Sequence, residues 1–269
     1  MSTVSARGAR GTVADRNGER RDDDVIVEEP LQIRITGETL AVTMRTPGHD
    51  RELVLGFLLA EGVIAGAGDV SSIAPCTKEE NTMDVVLSPG VRPPIDPETG
   101  MLAKRGTLTS SACGVCGRVA IDDLIARAEP LPEGPRVRRD VVLDAMRALR
   151  DRQPLFQATG ACHAASLITF AGDHVATFED VGRHNAVDKV VGHAVRTGRL
   201  PLAEHVLLVS GRSSFEIVQK AVMARIPVVA SVSASTSLAV DLARRANLTL
   251  AGFVREGSVT VYAGTALAS

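Results

Sequence analysis

Two consecutive stretches in the last third of the chain decide the fold: 205-HVLLVSGRSSFEIVQKAVMARI-226 and 227-PVVASVSASTSLAVDLARRANL-248. Each contains a short apolar strand, a loop rich in serine and a helical segment. Apolar strands that alternate with helices are typical of parallel sheets covered by helices on both faces. This repeated unit therefore predicts an α/β fold.

The neighbouring segments extend this pattern into a domain spanning residues 136–269. Upstream, the sequence predicts a helix from about Asp140 to Arg152, a loop (QATGACHAA), two strands (SLITF and HVATF) and a helix from about His184 to Arg196. Downstream, TLAGFVREGSVTVYAG predicts a hairpin that turns at Arg255-Glu256-Gly257. The Pro- and Gly-rich segment Glu129–Pro135 marks the candidate domain boundary.

Residues 25–135 are predicted to form a smaller α+β region. VIVEEPLQIRITGETLAVTMR indicates two strands around a turn, HDRELVLGFLLAEG a helix, and Ile73 to Leu87 two further strands. After a Pro-rich loop, SSACGVCG (110–117) precedes a predicted helix, RVAIDDLIARA, and its small residues favour a mobile, accessible loop. Residues 1–24 contain almost no large apolar side chains, so we expect this segment to be disordered.

Composition and charge exclude several functional classes. A net charge of −2, aromatic residues at only 3% and no Trp argue against a nucleic-acid-binding surface. No apolar run approaches the ~20 residues of a membrane-spanning helix. Arg20-Arg21 could suggest a twin-arginine export signal, but three Asp follow at the position where such a signal becomes apolar. An export signal is therefore not predicted. We therefore expect a cytoplasmic protein whose four cysteines are thiols.

The pair Cys113 and Cys116 is the strongest chemical signal. A helix is predicted directly after it, and a helix N-terminus can lower the pKa of a thiol. Such a pair can accept sulfur, pass it on or form a disulfide. The alternatives are half of a zinc site, a dithiol oxidoreductase and a merely structural pair. A zinc site would need two further ligands, and Cys76, Cys162 and His163 could supply them only by converging from distant parts of the chain.

Polar residues also follow the predicted strands of the second domain. FEDVGRHN (178–185) lies between a strand and a helix, where α/β sheets bind ligands, and contains Asp180, Arg183 and His184. Asp180 could equally cap the helix. Two further loops, Ser210 to Ser214 and Ser231 to Ser237, offer N–H groups, hydroxyls and one Arg to a phosphate.

The simpler explanation for part of the first of these loops is a capping box between Ser213 and Glu216. Two such loops on one sheet edge nevertheless indicate a nucleotide or diphosphate crevice, although no Walker or dinucleotide fingerprint is present. Cys162 is expected to be a small buried residue or, with His163, to face the site.

Six blocks carry a resemblance to a known family. They are RITGETLAVTMRTPGHDRELVLGFLLAEGVI, SACGVCG, TGACHAA, FEDVGRHNAVDK, LLVSGRSSFEIVQKA and GFVREGSVTVY. In this order they resemble the signature blocks of the FdhD/NarQ family of formate dehydrogenase accessory sulfurtransferases, and they cover the chain from about Val25 to its end.

The resemblance implies a sulfur carrier that is loaded by a cysteine desulfurase and passes sulfur to the molybdenum bis(molybdopterin guanine dinucleotide) cofactor of formate dehydrogenase. The persulfide would form on Cys113, and the cofactor segment would correspond to residues 253–258. The second domain would resemble cytidine deaminases in fold, but the sequence has no H-x-E, so zinc deaminase chemistry is not carried over and no metal site is expected.

Together these observations predict a sulfurtransferase with a cytidine deaminase-like C-terminal α/β sandwich. We expect Cys113 and Cys116 to be catalytic, the cofactor to be a bound substrate with no permanent cofactor, and the protein to be a homodimer. Alternatives are a non-enzymatic cofactor chaperone and a zinc hydrolase or deaminase. Cys76 is expected to have no partner and to be dispensable. The predicted cofactor-binding residues are Asp180, Arg183, His184, Ser210, Gly211, Arg212, Ser213, Phe253, Val254, Arg255, Glu256, Gly257 and Ser258.

Overall fold

A computed structural model of the protein describes residues 8–92, 129–255 and 257–268. The predicted catalytic residues Cys113 and Cys116, and the predicted binding residue Glu256, lie outside the described residues. The described part contains fourteen strands and six α-helices, which form a mixed α/β structure as the sequence predicts.

The first described element is a β-hairpin of β1 (Ala9–Arg16) and β2 (Glu19–Ile26). Disorder was predicted for residues 1–24, and this is wrong for residues 9–24. The overlooked signal is Asn17-Gly18, which turns the chain with φ values of 59° and 86° and is a strong hairpin dipeptide. The pairing depends on backbone hydrogen bonds, which need no apolar side chains. A Cβ atom at Gly8 would lie only 2.8 Å from Leu155 Cδ2, so the start of the hairpin is held against the second half of the chain.

A four-stranded sheet follows, with the strand order β4-β3-β6-β5. Its first two strands are joined at Thr36 and Gly37, both with positive φ, as the predicted turn requires. The buried face carries Leu31, Ile33 and Ile35. The elements are β3 (Glu29–Ile35), β4 (Glu38–Arg45), helix α1 (Asp50–Ala60), a 3₁₀ turn (Ala67–Asp69), β5 (Val70–Pro75) and β6 (Thr82–Leu87).

The second half of the chain forms a six-stranded sheet with the order β13-β12-β11-β10-β8-β9, while β7 and β14 pair separately. Strands β10, β11 and β12 are parallel, which confirms the prediction from the repeated unit. The strands are β7 (Val137–Arg138), β8 (His163–Thr169), β9 (His174–Asp180), β10 (His205–Val209), β11 (Val228–Ser231), β12 (Thr249–Arg255), β13 (Ser258–Ala263) and β14 (Leu267–Ala268).

Helices cover both faces of this sheet. Successive residues of β10 alternate between two buried clusters: Val206 and Leu208 contribute to one, Leu207 and Val209 to the other. The helices are α2 (Arg139–Asp151), α3 (Pro154–Thr159), α4 (Arg183–Arg196), α5 (Phe215–Met223) and α6 (Ser237–Arg245). Helix α3 occupies the start of the predicted loop QATGACHAA, because Pro154 begins a helical turn and Gly160, with φ 67°, ends it.

A single hydrophobic cluster joins the two halves across the predicted boundary at residue 135. It contains Ile33 and Val85 of the first sheet together with Leu207 and Leu250 of the second. Helices α1 and α4 approach each other closely, because a Cβ atom at Gly192 would overlap the backbone carbonyl of Glu52. The two sheets therefore share one core. The likeness to cytidine deaminases stays a prediction.

Candidate functional site

Most of the predicted site residues meet at one edge of the six-stranded sheet. The loops that follow β9, β10 and β11 leave this edge at the carboxyl ends of their strands. Because β8 and β13 run antiparallel to their neighbours, the start of β8 and the β12–β13 turn reach the same edge. The predicted residues brought to it are Asp180, Arg183, His184, Ser210, Gly211, Arg212, Ser213, Phe253, Val254, Arg255, Gly257 and Ser258.

Hydrogen bonds join the neighbouring loops of this edge into a continuous rim. The Ser213 N–H donates to the carbonyl oxygen of Ala234 at 3.1 Å, and the Thr236 N–H donates to that of Ser213 at 3.1 Å. The Phe253 N–H donates to the carbonyl oxygen of Ser233 at 3.1 Å. The two serine-rich loops are thus linked to the β12–β13 hairpin.

Positive charge accumulates beside His163, where β8 begins. A Cβ atom at Gly211 would be 3.3 Å from His163 Nδ1, so the absence of a side chain at Gly211 lets the ring lie against the loop after β10. Burial is the main cause of a lowered His163 pKa; the charges of Arg183 and Arg212 lower it further, and Asp180 acts in the opposite direction. The guanidinium groups of Arg183 and Arg212 place positive charge beside His163, which favours a bound anion.

A cavity of about 790 Å³ opens at the same edge, between the sheet and helices α2 and α3. Its size falls within the range of small-molecule sites. Its basic and polar lining comprises Arg147, Arg150, Gln153, Cys162, His163, Ser210 and Arg255. Cys162 and His163 therefore face this cavity, as one of the two sequence interpretations expected. The guanidinium of Arg255 also lies over the Phe253 ring, 5.8 Å from its centroid.

Asp180 lies below the rim and is fully buried. Its carboxylate accepts hydrogen bonds from the Thr46 and Gly182 N–H groups at 3.2 and 2.8 Å and from Asn185 Nδ2 at 3.0 Å. It also pairs with Lys189 Nζ at 2.7 Å. These donors occupy the carboxylate, so the structure places Asp180 where it positions the loop rather than where it contacts a ligand.

His184, Ser214 and Glu216 form a hydrogen-bonded chain at the edge. His184 Nε2 lies 3.0 Å from Ser214 Oγ, and His184 Nδ1 lies 2.9 Å from Glu216 Oε2. The predicted capping box between Ser213 and Glu216 is absent: the N-cap of α5 is Ser214 instead, and Glu216 binds His184. The sequence analysis placed Ser214 only within a phosphate-binding loop and did not connect it with His184, because a contact across thirty residues leaves no local signal.

The thiol of Cys162 is not activated for nucleophilic chemistry. Burial raises its pKa, and the neighbouring carboxylate of Glu179 raises it further. The Cys162 thiol donates a hydrogen bond to Glu179 Oε1 at 3.2 Å. The Cys162 side chain therefore stays protonated at neutral pH, as expected for a small buried residue.

Cys76 lies away from this edge, in a larger cavity of about 1000 Å³ beside the four-stranded sheet. The expectation that it has no partner is wrong, because Arg34 Nη2 lies 3.0 Å from Cys76 Sγ. Sequence could not reveal this contact, since Arg34 reaches Cys76 across paired strands. The lining of this cavity includes many carboxylates, Glu29, Asp50, Glu52, Glu79 and Glu80, and none of the predicted binding residues.

The sequence matches the profile of the FdhD/NarQ family over residues 26–267. The chain belongs to this family. It is 52% identical over 280 residues to the sulfur carrier protein FdhD of Anaeromyxobacter dehalogenans (strain 2CP-C), covering 98% of this chain and 96% of that relative. It is 46% identical over 274 residues to the sulfur carrier protein FdhD of Streptomyces coelicolor, covering 98% and 95%.

A similar fold is found in a crystal structure. A proposed formate dehydrogenase accessory protein from Desulfotalea psychrophila superimposes with a TM-score of 0.72 at 24% identity, covering 95% of this chain and 96% of that chain. The fold is therefore shared along almost the whole length. Among the described residues, no helix is long and apolar enough to span a membrane.

Proposed function

We propose that this protein is a sulfur carrier in the maturation of formate dehydrogenase. Its Cys113 accepts sulfur from a cysteine desulfurase, and the rim of the six-stranded sheet binds the guanine dinucleotide part of a molybdenum–pterin cofactor as substrate. Full-length relatives named sulfur carrier protein FdhD support the carrier role. The observation that carries the binding role is the cationic edge beside the 790 Å³ cavity.

The loading step follows ordinary thiol chemistry. The Cys113 thiolate attacks the terminal sulfur of the donor persulfide, a new S–S bond forms at Cys113, and the donor cysteine leaves as a thiolate. No electrons are gained or lost overall. Cys116, three residues further, can attack the inner sulfur of the Cys113 persulfide, which forms a Cys113–Cys116 disulfide and releases the outer sulfur as hydrosulfide.

The described residues at the rim match the chemistry of a diphosphate. Arg212 and His163 lie together at the loop after β10, and helix α5 begins directly after that loop. A helix N-terminus and guanidinium groups are the usual partners of phosphate oxygens. Arg255 and Phe253 flank the adjoining cavity and would contact the remaining part of the substrate. A homodimer and a cytoplasmic location complete the proposal.

Intact-protein mass analysis tests the carrier role. Incubation with a cysteine desulfurase and cysteine should add the mass of one sulfur atom, and peptide mapping should place it on Cys113. Cys113→Ala should lose the added mass and leave formate dehydrogenase inactive, whereas Cys76→Ser, a matched thiol deletion away from the rim, should load normally. A folded wild-type protein that gains no sulfur would instead support the non-enzymatic chaperone.

Elemental analysis separates the remaining alternative. A zinc hydrolase or deaminase would hold about one tightly bound zinc ion per chain, with Cys113 and Cys116 as ligands. We expect substoichiometric zinc that does not change with persulfide loading. One zinc per chain, lost in Cys113→Ala, would contradict the carrier role.

A further inference from the structure

The two repeated strand–loop–helix units use their N-cap hydroxyls differently. Thr236 caps α6, and its side chain accepts a hydrogen bond from the Ala239 N–H. Ser214 occupies the same position before α5 but makes no such capping bond. Its hydroxyl contacts His184 Nε2 at 3.0 Å instead. Helix capping therefore does not account for the side chain of Ser214.

The hydrogen-bond chain fixes the direction of proton transfer. A carboxylate only accepts hydrogen bonds, so His184 Nδ1 carries the proton that is shared with Glu216 Oε2 at 2.9 Å. In the neutral imidazole, Nε2 is then the acceptor that faces the Ser214 hydroxyl. Burial is the main cause of a lowered His184 pKa, although Glu216 acts in the opposite direction. At neutral pH the ring is therefore a base aligned with a serine.

The surroundings of Ser214 suit an acyl group that carries negative charge. Ser214 begins helix α5, whose first-turn N–H groups and dipole can stabilise a developing oxyanion. Arg183 and Arg212 contribute positive charge to the same edge. Within the described part of the chain, the buried Arg183 Nε has no hydrogen-bond partner, so one donor at this edge remains for a ligand.

We propose that Ser214, His184 and Glu216 form a nucleophilic triad that cleaves activated esters or thioesters with an anionic acyl group. This activity is separate from sulfur transfer and needs no cysteine. Serine as nucleophile, histidine as base and a carboxylate as orienting group recur on unrelated folds and are recognised by geometry.

The reaction proceeds through an acyl group bonded to Ser214. Ser214 Oγ bonds to the acyl carbon while His184 Nε2 accepts the hydroxyl proton, and the N-terminus of α5 stabilises the oxyanion. The bond to the leaving group breaks, and His184 returns the proton to the departing alcohol or thiol. Water, deprotonated by His184, then releases the acid and restores Ser214. No oxidant or reductant is required.

Covalent labelling with a fluorophosphonate tests the nucleophile. The full-length protein should gain one phosphonyl group with loss of fluoride, and peptide mapping should place it on Ser214. Ser214→Ala should lose the label, and Glu216→Gln should slow labelling by about a hundredfold or more, since it misorients the histidine. Ser71→Ala removes a serine hydroxyl on β5, away from the rim, and should label at the wild-type rate. Absence of label on Ser214 in the folded wild-type protein would overturn the proposal.

The pH profile and substrate preference distinguish a triad from a structural hydrogen-bond network. The labelling rate should rise with pH to a plateau, with its midpoint below 6.5, because burial lowers the His184 pKa. The charged and titratable groups around His184 are Glu216, Lys220, Arg183 and His163.

Substrate preference is a second test. The protein should cleave 4-nitrophenyl hemisuccinate in preference to 4-nitrophenyl butyrate. Arg212→Ala should reduce that preference about tenfold, whereas Arg245→Ala should leave it unchanged. A labelling rate independent of pH and of Glu216 would contradict the triad.

Discussion

Asp180 and Lys189 form an ion pair in which both side chains are almost completely excluded from solvent. Lys189 Nζ also donates to the carbonyl oxygen of Thr46 at 3.0 Å, so the pair links α4 to the segment before α1. Removing one member of a buried pair leaves the other charge without compensation. At the scale of single residues, the rim therefore depends on buried charges that contact no ligand.

Asp180→Asn should lower the free energy of unfolding by about 3–5 kcal/mol, because the amide keeps the shape of Asp180 but leaves Lys189 unpaired. Equilibrium denaturation in urea measures this change. Asp144→Asn breaks an exposed ion pair with Arg147 and serves as the control, with a loss of less than about 1 kcal/mol. Equal stability of the two variants would show that the buried pair is not required.

Cys76→Ser should support normal maturation of formate dehydrogenase. Arg34, which contacts Cys76, keeps its ion pairs with Asp84 at 2.8 Å and Glu79 at 2.9 Å when the thiol is replaced. Formate dehydrogenase activity in cells that depend on the variant is the measurement. Failure of a stably folded Cys76→Ser protein would assign this cysteine a role in sulfur transfer.

At the scale of elements, helices α1 and α4 carry glycine where they cross. A Cβ atom at Gly56 would overlap the backbone carbonyl of Asp188, and one at Gly192 would overlap that of Glu52. Glycine thus permits the close approach that connects the two sheets, and the adjoining residue Asp188 pairs with Lys220 of α5 at 2.8 Å. The position of α4, which carries His184, follows from this contact.

Gly192→Ala should separate α1 from α4 and destabilise the protein by about 1–3 kcal/mol or more, since the added methyl group meets backbone that cannot rotate away. Thermal unfolding followed by circular dichroism measures the effect. Gly134→Ala is the matched control, because a Cβ atom at Gly134 has no neighbour within 4 Å. An unchanged melting temperature for Gly192→Ala would mean that the helices do not cross this closely.

At the scale of the whole molecule, the shared core predicts a single cooperative unfolding unit. One cluster includes Ile33 in the first sheet and Leu207 in the second, so neither sheet can unfold without exposing the other. Hydrogen exchange in increasing denaturant should give peptides that cover residues 31–35 and 206–209 the same opening free energy, within about 1 kcal/mol. Two separate values would instead support independent domains divided at residue 135.

The rim also predicts nucleotide affinity. GDP should bind and ADP should bind much more weakly, if the proposed guanine dinucleotide is the substrate. Arg212→Ala should weaken GDP binding by roughly 1.5–3 kcal/mol, about tenfold to a hundredfold, through loss of a charge-assisted hydrogen bond. Calorimetry measures both, and persulfide loading of Cys113 should not change.

Arg245→Ala is the control for that experiment. Arg245 lies in the last turn of α6, away from the rim, and carries the same charge. Equal affinity for GDP and ADP would remove the preference for guanine. Unchanged GDP affinity in Arg212→Ala would place the phosphates elsewhere, with Arg255 as the next candidate.

The sequence by itself determined the identity of most elements and their order. Apolar β-branched runs followed by amphipathic segments specify parallel strands covered by helices, because local periodicity decides which residues can be buried. The same reasoning located the loops that meet at the rim, since parallel strands end at one edge. Asn17-Gly18 also encoded the first hairpin, but low apolar content concealed it.

Only the tertiary structure decided which side chains of those loops face a ligand. Asp180 and Arg183 are three residues apart, yet Asp180 is fully buried by groups from the first half of the chain. Ser214 and Glu216 belong with His184, which is thirty residues away from Ser214 in sequence. Such contacts depend on how α1, α4 and α5 pack together, and packing between distant segments leaves no periodic signal in the sequence.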